Sequence, residues 1–170
     1  HGQVFRFLHG KVEVPKYEVQ EADQDSEISR FEEALALTKN QITKIRGEVA
    51  RNLGEKEAGI FDAHLMVLED KAVIDDVVSE IRKSGDNVEQ CLHRVTQRYI
   101  DYFSQLEDEY LRERSSDLKD ISKRLLGNLV GATAAGTAFL HEPRILVSED
   151  LSPSDTASLD GDKILGIATD

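Results

Sequence analysis

The sequence predicts a mainly α protein: an antiparallel helical bundle set into an α/β unit whose two halves lie at opposite ends of the chain. Three observations carry this. Between Pro15 and Pro143 the chain runs 127 residues without proline, the residue that helix interiors tolerate least. Across that stretch apolar residues recur at three- and four-residue steps, the mark of a buried helix face. On either side, short β-branched and aromatic runs stand between Gly and Pro, as strands do.

Residues 3–8, Gln-Val-Phe-Arg-Phe-Leu, read as a strand, and Lys11 to Val19 as a connector broken by Pro15. Asp25 or Ser26 offers an N-cap for a first helix. Its stripe is Ile28, Phe31, Leu35, Ile42, Ile45, Val49 and Leu53, with Thr38 filling the gap and Gly54 as the stop. A second helix covers Glu55 to Glu69, with Ile60, Phe61, His64, Leu65 and Leu68 on or near one side. A bend at Asp70-Lys71 leads into Val73, Ile74, Val77, Val78 and Ile81, and Ser84-Gly85 ends that piece. Asn87 with Gln90 has the spacing of a capping box for a helix using Val88, Cys91, Leu92, Val95, Tyr99, Tyr102, Phe103 and Leu106. After the acidic step Glu107-Asp108-Glu109, a last helix carries Leu111, Leu118, Ile121, Leu125 and Leu129 and ends at Gly131. Residues 132–140 are small and read as a linker. A strand at Arg144–Ser148, a helix start at Ser152-Pro153-Ser154-Asp155 and a strand at Lys163–Thr169 form a β-α-β unit. The expected division is 1–22 with 141–170 for the α/β part and 23–140 for the helices with their linker.

Composition excludes several classes of function. With 39% apolar and 32% charged residues the chain is a soluble globular type. No apolar run approaches the roughly 20 residues of a membrane span, and no signal-peptide pattern opens the sequence. The net charge is −12, and residues 21–131 alone hold 24 acidic against 16 basic side chains. Nucleic acid is therefore not an expected partner, since phosphate contacts need clustered Lys and Arg. A basic protein surface would instead be steered toward the helices. The single cysteine, Cys91, excludes an internal disulfide and reads as a buried, reduced thiol of a cytoplasmic protein.

Candidate chemistry is sparse. The histidines at 1, 9, 64, 93 and 141 have no partners at metal-ligand spacing, and no glycine cluster has the form of a phosphate loop. His64 lies inside an amphipathic helix near Asp62, Glu69 and Asp70. Packing or interface duty is the reading that setting favours, with general-base chemistry behind it. Thr156, on the short helix of the β-α-β unit, reads from its position alone as a cap.

Three stretches together resemble the N-terminal part of Enzyme I of the phosphoenolpyruvate:sugar phosphotransferase system. They are Ala58 to Asp70 (AGIFDAHLMVLED), Leu106 to Leu126 (LEDEYLRERSSDLKDISKRLL), and Ile145 to Leu159 (ILVSEDLSPSDTASL) followed by Ile164 to Asp170. The resemblance covers essentially the whole chain in register. It implies a helical subdomain that docks the small carrier protein HPr, interrupting a swivelling α/β phosphohistidine subdomain that is incomplete here. The implied activity is transfer of a phosphoryl group from phosphoenolpyruvate to a histidine of the enzyme and then to HPr.

Carried over by position, the implied docking residues are Asp62, His64, Met66, Val67, Asp70, Phe103, Leu111 and Arg114. Thr156 matches the threonine that orients the active histidine. That histidine belongs to a Gly-Gly-x-Thr-Ser-His segment expected shortly after Asp170, so no catalytic residue is expected within this chain, which reads as a catalytically inactive fragment. Magnesium and homodimerisation are implied for the full-length enzyme through its C-terminal part, with no cofactor expected here. Lys71 and Ala72 stand where many relatives carry acids. Two other readings are the nitrogen-regulatory branch of Enzyme I and a non-catalytic helical interaction module.

Overall fold

The computed structural model describes residues 4–6, 14–131, 144–148, 151, 156 and 164–169. They fall into two compact units, Val12–Ala132 and the pair His1–Lys11 with Thr133–Asp170.

The first unit holds five helices: α1 Gln24–Asn52, α2 Glu55–Leu68, α3 Lys71–Ser84, α4 Val88–Ser104 and α5 Glu109–Leu129. Along α1 the buried line runs Phe31, Ala34, Thr38, Ile42, Ile45 and Val49, in steps of three and four. Thr38 is tolerated there because its hydroxyl donates to the Ala34 carbonyl at 2.7 Å and accepts from Asn128 Nδ2 at 2.8 Å. Leu53, expected on this stripe, is instead 68% exposed: the helix stops at Asn52 and the chain turns away through Gly54, whose φ of 115° suits glycine. At 29 residues α1 is about 43 Å long. The pairs Arg46–Asp62 and Lys39–Glu69 show that α2 runs back along it antiparallel.

The bend expected at Asp70 is a full break. Asp70 Oδ1 accepts from Ala72 N at 2.9 Å and caps a new helix, α3. Gly85, at φ 67°, closes α3 in the left-handed conformation. Contacts between Asp76 and Tyr99, and between Glu80 and Arg94, set α4 antiparallel to α3. The core joins Phe31 and Ala34 of α1, Val77 and Ile81 of α3, Val88, Cys91, Leu92 and Val95 of α4, and Leu125 and Leu126 of α5. Cys91 is buried and its environment pushes the thiol pKa up, chiefly by desolvation.

The capping box expected at Asn87 and Gln90 does not form. Asn87 turns its amide to the connector, donating to the Pro15 carbonyl at 2.9 Å and accepting from Tyr17 N at 3.1 Å. Gln90 donates to the Val14 carbonyl. The Val88 amide is met by the Glu27 carboxylate of α1 at 2.8 Å, so a distant side chain does the capping. Arg30 compensates the buried acids, reaching Glu27 at 2.8 Å and Glu89 at 2.5 Å. These bonds attach residues 14–20, which the sequence assigned to the α/β part, to the helices.

The other unit contains a parallel three-stranded sheet in the order β1 Val4–Arg6, β2 Arg144–Ser148, β3 Ile164–Thr169. Val4 stands opposite Ile145, and Ile145 opposite Gly166 after a register shift beside Arg144. The strands on either side of the helical stretch thus pair directly, which is the arrangement of a bundle inserted into an α/β unit. Leu146 is fully buried in the central strand. The helix start at 152–155 and the linker at 132–140 lie outside the described residues.

Candidate functional site

Most residues that the resemblance assigns to docking fall on α2 and α5, and these two helices meet at His64. Its side chain is fully buried, with Nε2 3.3 Å from Asp117 Oδ1 and Nδ1 3.9 Å from Asp120 Oδ2. Neither nitrogen makes a hydrogen bond, and the approach to Asp120 is too long for one. Phe61 packs its ring edgewise on the imidazole at 5.6 Å. With no exposed surface, His64 cannot touch a partner. It fixes α2 against α5 from inside.

The neighbouring side chains do face solvent. Met66 is 58% exposed, and an exposed unbranched thioether is suited to filling a partner's pocket. Val67 is half-buried beside it. Asp62 is exposed but engaged: Arg46 Nε lies 3.0 Å from its Oδ1 and Arg46 Nη2 3.2 Å from its Oδ2. This forked bond holds the Asp62 carboxyl below its usual range, and the Arg46 guanidinium is raised in turn. Asp70 is exposed and spends one oxygen on the α3 cap.

On the α4–α5 side, Phe103 is half-buried between Tyr99 and Tyr102, at 6.1 and 5.8 Å between ring centroids. Tyr102, expected in the apolar stripe of its helix, is 62% exposed. Arg114 is half-buried and its guanidinium sits 5.7 Å from the Tyr110 ring centroid, a cation–π contact. Leu111 is within α5, but its side chain lies outside the described residues. Thr156 is helical and exposed, between β2 and β3. Among the described residues no group of three or more His, Cys, Asp or Glu could hold a metal ion, and no helix is long and apolar enough to cross a membrane.

Sequence reasoning missed Arg46 and Lys39, the α1 cations that pair with acids of α2, and the exposed rings of Tyr102 and Tyr110. The seven-residue spacing of Lys39 and Arg46 carried a signal of a shared helix face. Their partners depend on the helix pairing.

A family model described as PEP-utilising enzyme, N-terminal, matches residues 1–114. A phosphoenolpyruvate-protein phosphotransferase of Listeria monocytogenes is 41% identical over 148 residues, 87% of this chain and 26% of that protein. One of Bacillus subtilis is 36% identical over 149 residues, 88% of this chain and 26% of that protein. One of Priestia megaterium is 34% identical over 168 residues, 99% of this chain and 29% of that protein. The chain thus spans about a quarter of the length of these relatives. Among solved structures, the NMR solution structure of an Enzyme I protein matches with a TM-score of 0.85 at 32% identity, over 99% of this chain and 68% of that one. The N-terminal domain of Enzyme 1 – Nitrogen matches with a TM-score of 0.74 at 26% identity, over 97% of this chain and 67% of that one. Sequence and backbone therefore agree along nearly the whole length of this chain, and it belongs to the PEP-utilising enzyme family as part of the N-terminal domain of an Enzyme I.

Proposed function

We propose that this chain is the carrier-docking part of a cytoplasmic phosphoenolpyruvate-protein phosphotransferase. In that enzyme the phosphoryl group passes from phosphoenolpyruvate to a histidine and on to HPr. The helical unit docks HPr. The sheet unit contributes Thr156, which orients the phosphorylated histidine of the full-length protein. Magnesium and the dimer contacts belong to the remainder of that protein.

The observation that carries the docking reading is the solvent-facing set on two helices locked together by His64 and Asp117. Met66 and Val67 supply apolar contact on α2, and Arg114 lies one turn from Asp117 on α5. An exposed apolar patch rimmed by charge suits a carrier's amphipathic helix, and the acidic balance of the helical stretch steers a basic one toward it.

Titration of the isotope-labelled chain with purified HPr tests this. Binding is expected to weaken as salt rises. Met66→Asp and Arg114→Glu should each weaken it about tenfold or more, the loss of a central interface contact. Unchanged binding in both variants would remove the assigned surface. Incubation with phosphoenolpyruvate and HPr should leave this chain unphosphorylated.

A further inference from the structure

Three acids of α2 and its C-cap recur every seventh residue, at Glu55, Asp62 and Glu69, apart from Glu57 in the first turn. Seven residues are just under two helical turns, so the three stand nearly in line along one edge of α2. The antiparallel α1 presents Arg46 and Lys39, also seven apart, to that edge. Lys39 pairs with Glu69. Arg46 reaches Asp62 through two bonds, at 3.0 and 3.2 Å, and Glu55 at 2.9 Å. One guanidinium therefore bridges two carboxylates, and the three groups together keep one negative charge.

Asp62 is one of the acids that the docking reading gives to a basic carrier. Its carboxylate cannot hold Arg46 in the forked geometry and a partner's cation in the same way at once. The pair is open to exchange because it is solvent-exposed, the Asp62 side chain being 52% accessible and that of Arg46 29%. Exposed ion pairs are weak and screened by salt. The lowered Asp62 carboxyl agrees with a formed bond.

We propose that Arg46 is a specificity-determining residue of the docking face: it withholds Asp62 and Glu55 from a basic partner, and only a strongly basic carrier displaces it. The proposal rests on the docking reading above. Lys39 and Arg46 leave the edge of Glu55, Asp62 and Glu69 with one net negative charge and with its carboxylates engaged, so that attraction favours carriers of higher positive charge.

Association of the 170-residue chain with purified HPr, followed by stopped flow at low and at high ionic strength, tests it. Arg46→Gln should raise the association rate constant about three- to tenfold at low salt, with the gain gone at high salt. Adding Glu55→Gln and Asp62→Asn to that variant should bring the rate back to the wild-type value or below. A rate for Arg46→Gln equal to or below wild type would overturn the proposal, as would an equal gain in Lys44→Gln, which removes a charge from α1 without freeing an acid of α2. Should Arg46→Gln fail to fold, Arg46→Lys carries the test, because it keeps the charge and loses the fork. With the long-range charge unchanged, the effect is expected in the dissociation rate, about a twofold slowing as the freed Asp62 carboxylate takes a cation of the carrier, and no slowing overturns the proposal. If Met66→Asp also leaves binding unchanged, or wild type does not bind, the docking reading has failed and takes this proposal with it. If Met66→Asp weakens binding while Arg46→Gln does not speed it, the proposal alone falls.

Discussion

His64 Nε2 lies 3.3 Å from Asp117 Oδ1, inside a contact from which solvent is excluded at the histidine. The pair ties the middle of α2 to α5. Because neither nitrogen makes a hydrogen bond, packing carries much of the contact, with the Phe61 ring closing one side.

Truncation of that imidazole should therefore loosen two helices at once. His64→Ala leaves a cavity and two carboxylates facing it, and should cost about 2–4 kcal/mol of stability. Thermal unfolding followed by circular dichroism checks this. A loss below about 0.5 kcal/mol, the usual scale of a surface change, would show that the contact matters little.

Arg30 presents a different kind of dependence. It bridges Glu27 and Glu89, whose side chains are only 9% and 2% exposed. Arg30→Met would leave both charges in a poorly solvated site and should destabilise by about 3 kcal/mol. The double change Arg30→Met with Glu89→Gln should recover part of that loss. Denaturant unfolding of the two variants against wild type measures both effects.

The Arg46–Asp62 pair supplies a pH dependence with a definite sign. Asp62 titrates below its unfolded value because Arg46 bonds its ionised form. Its contribution is thus fully present above the unfolded carboxylate range, and is lost as pH falls through the lowered folded value. A carboxyl-detected NMR titration should find Asp62 below the ordinary range, and Arg46→Gln should return it there. An ordinary value in the wild-type chain would mean that the pair is not formed in solution.

Much of the fold was legible because helix stripes are local. Ile42, Ile45 and Val49 follow one another at three and four residues, Phe31 stands eleven before Ile42 on the same face, and all four are buried. Gly54 and Gly85 announce their stops because their backbones need positive φ. What was not legible depends on distant partners. Asn87 looks like a local cap, yet its amide serves Pro15 and Tyr17 while Glu27 caps Val88 from 61 residues away. Asp62 looks like a free acid on an exposed helix face until α1 brings Arg46 to it. The role of His64 follows the same rule: its helix position suggested packing, and only the arrival of α5 says against what.

The pairing of Val4 with Ile145 has a consequence for the order of folding. The two strands are separated by nearly the whole bundle, and closing so long a loop from a disordered chain is entropically costly and slow. The helices, held by contacts close in sequence, can form first and shorten the effective gap between the strand ends. β1 should then be the last strand to gain protection in pulse-labelled hydrogen exchange, and variants that slow the bundle should delay it by the same factor.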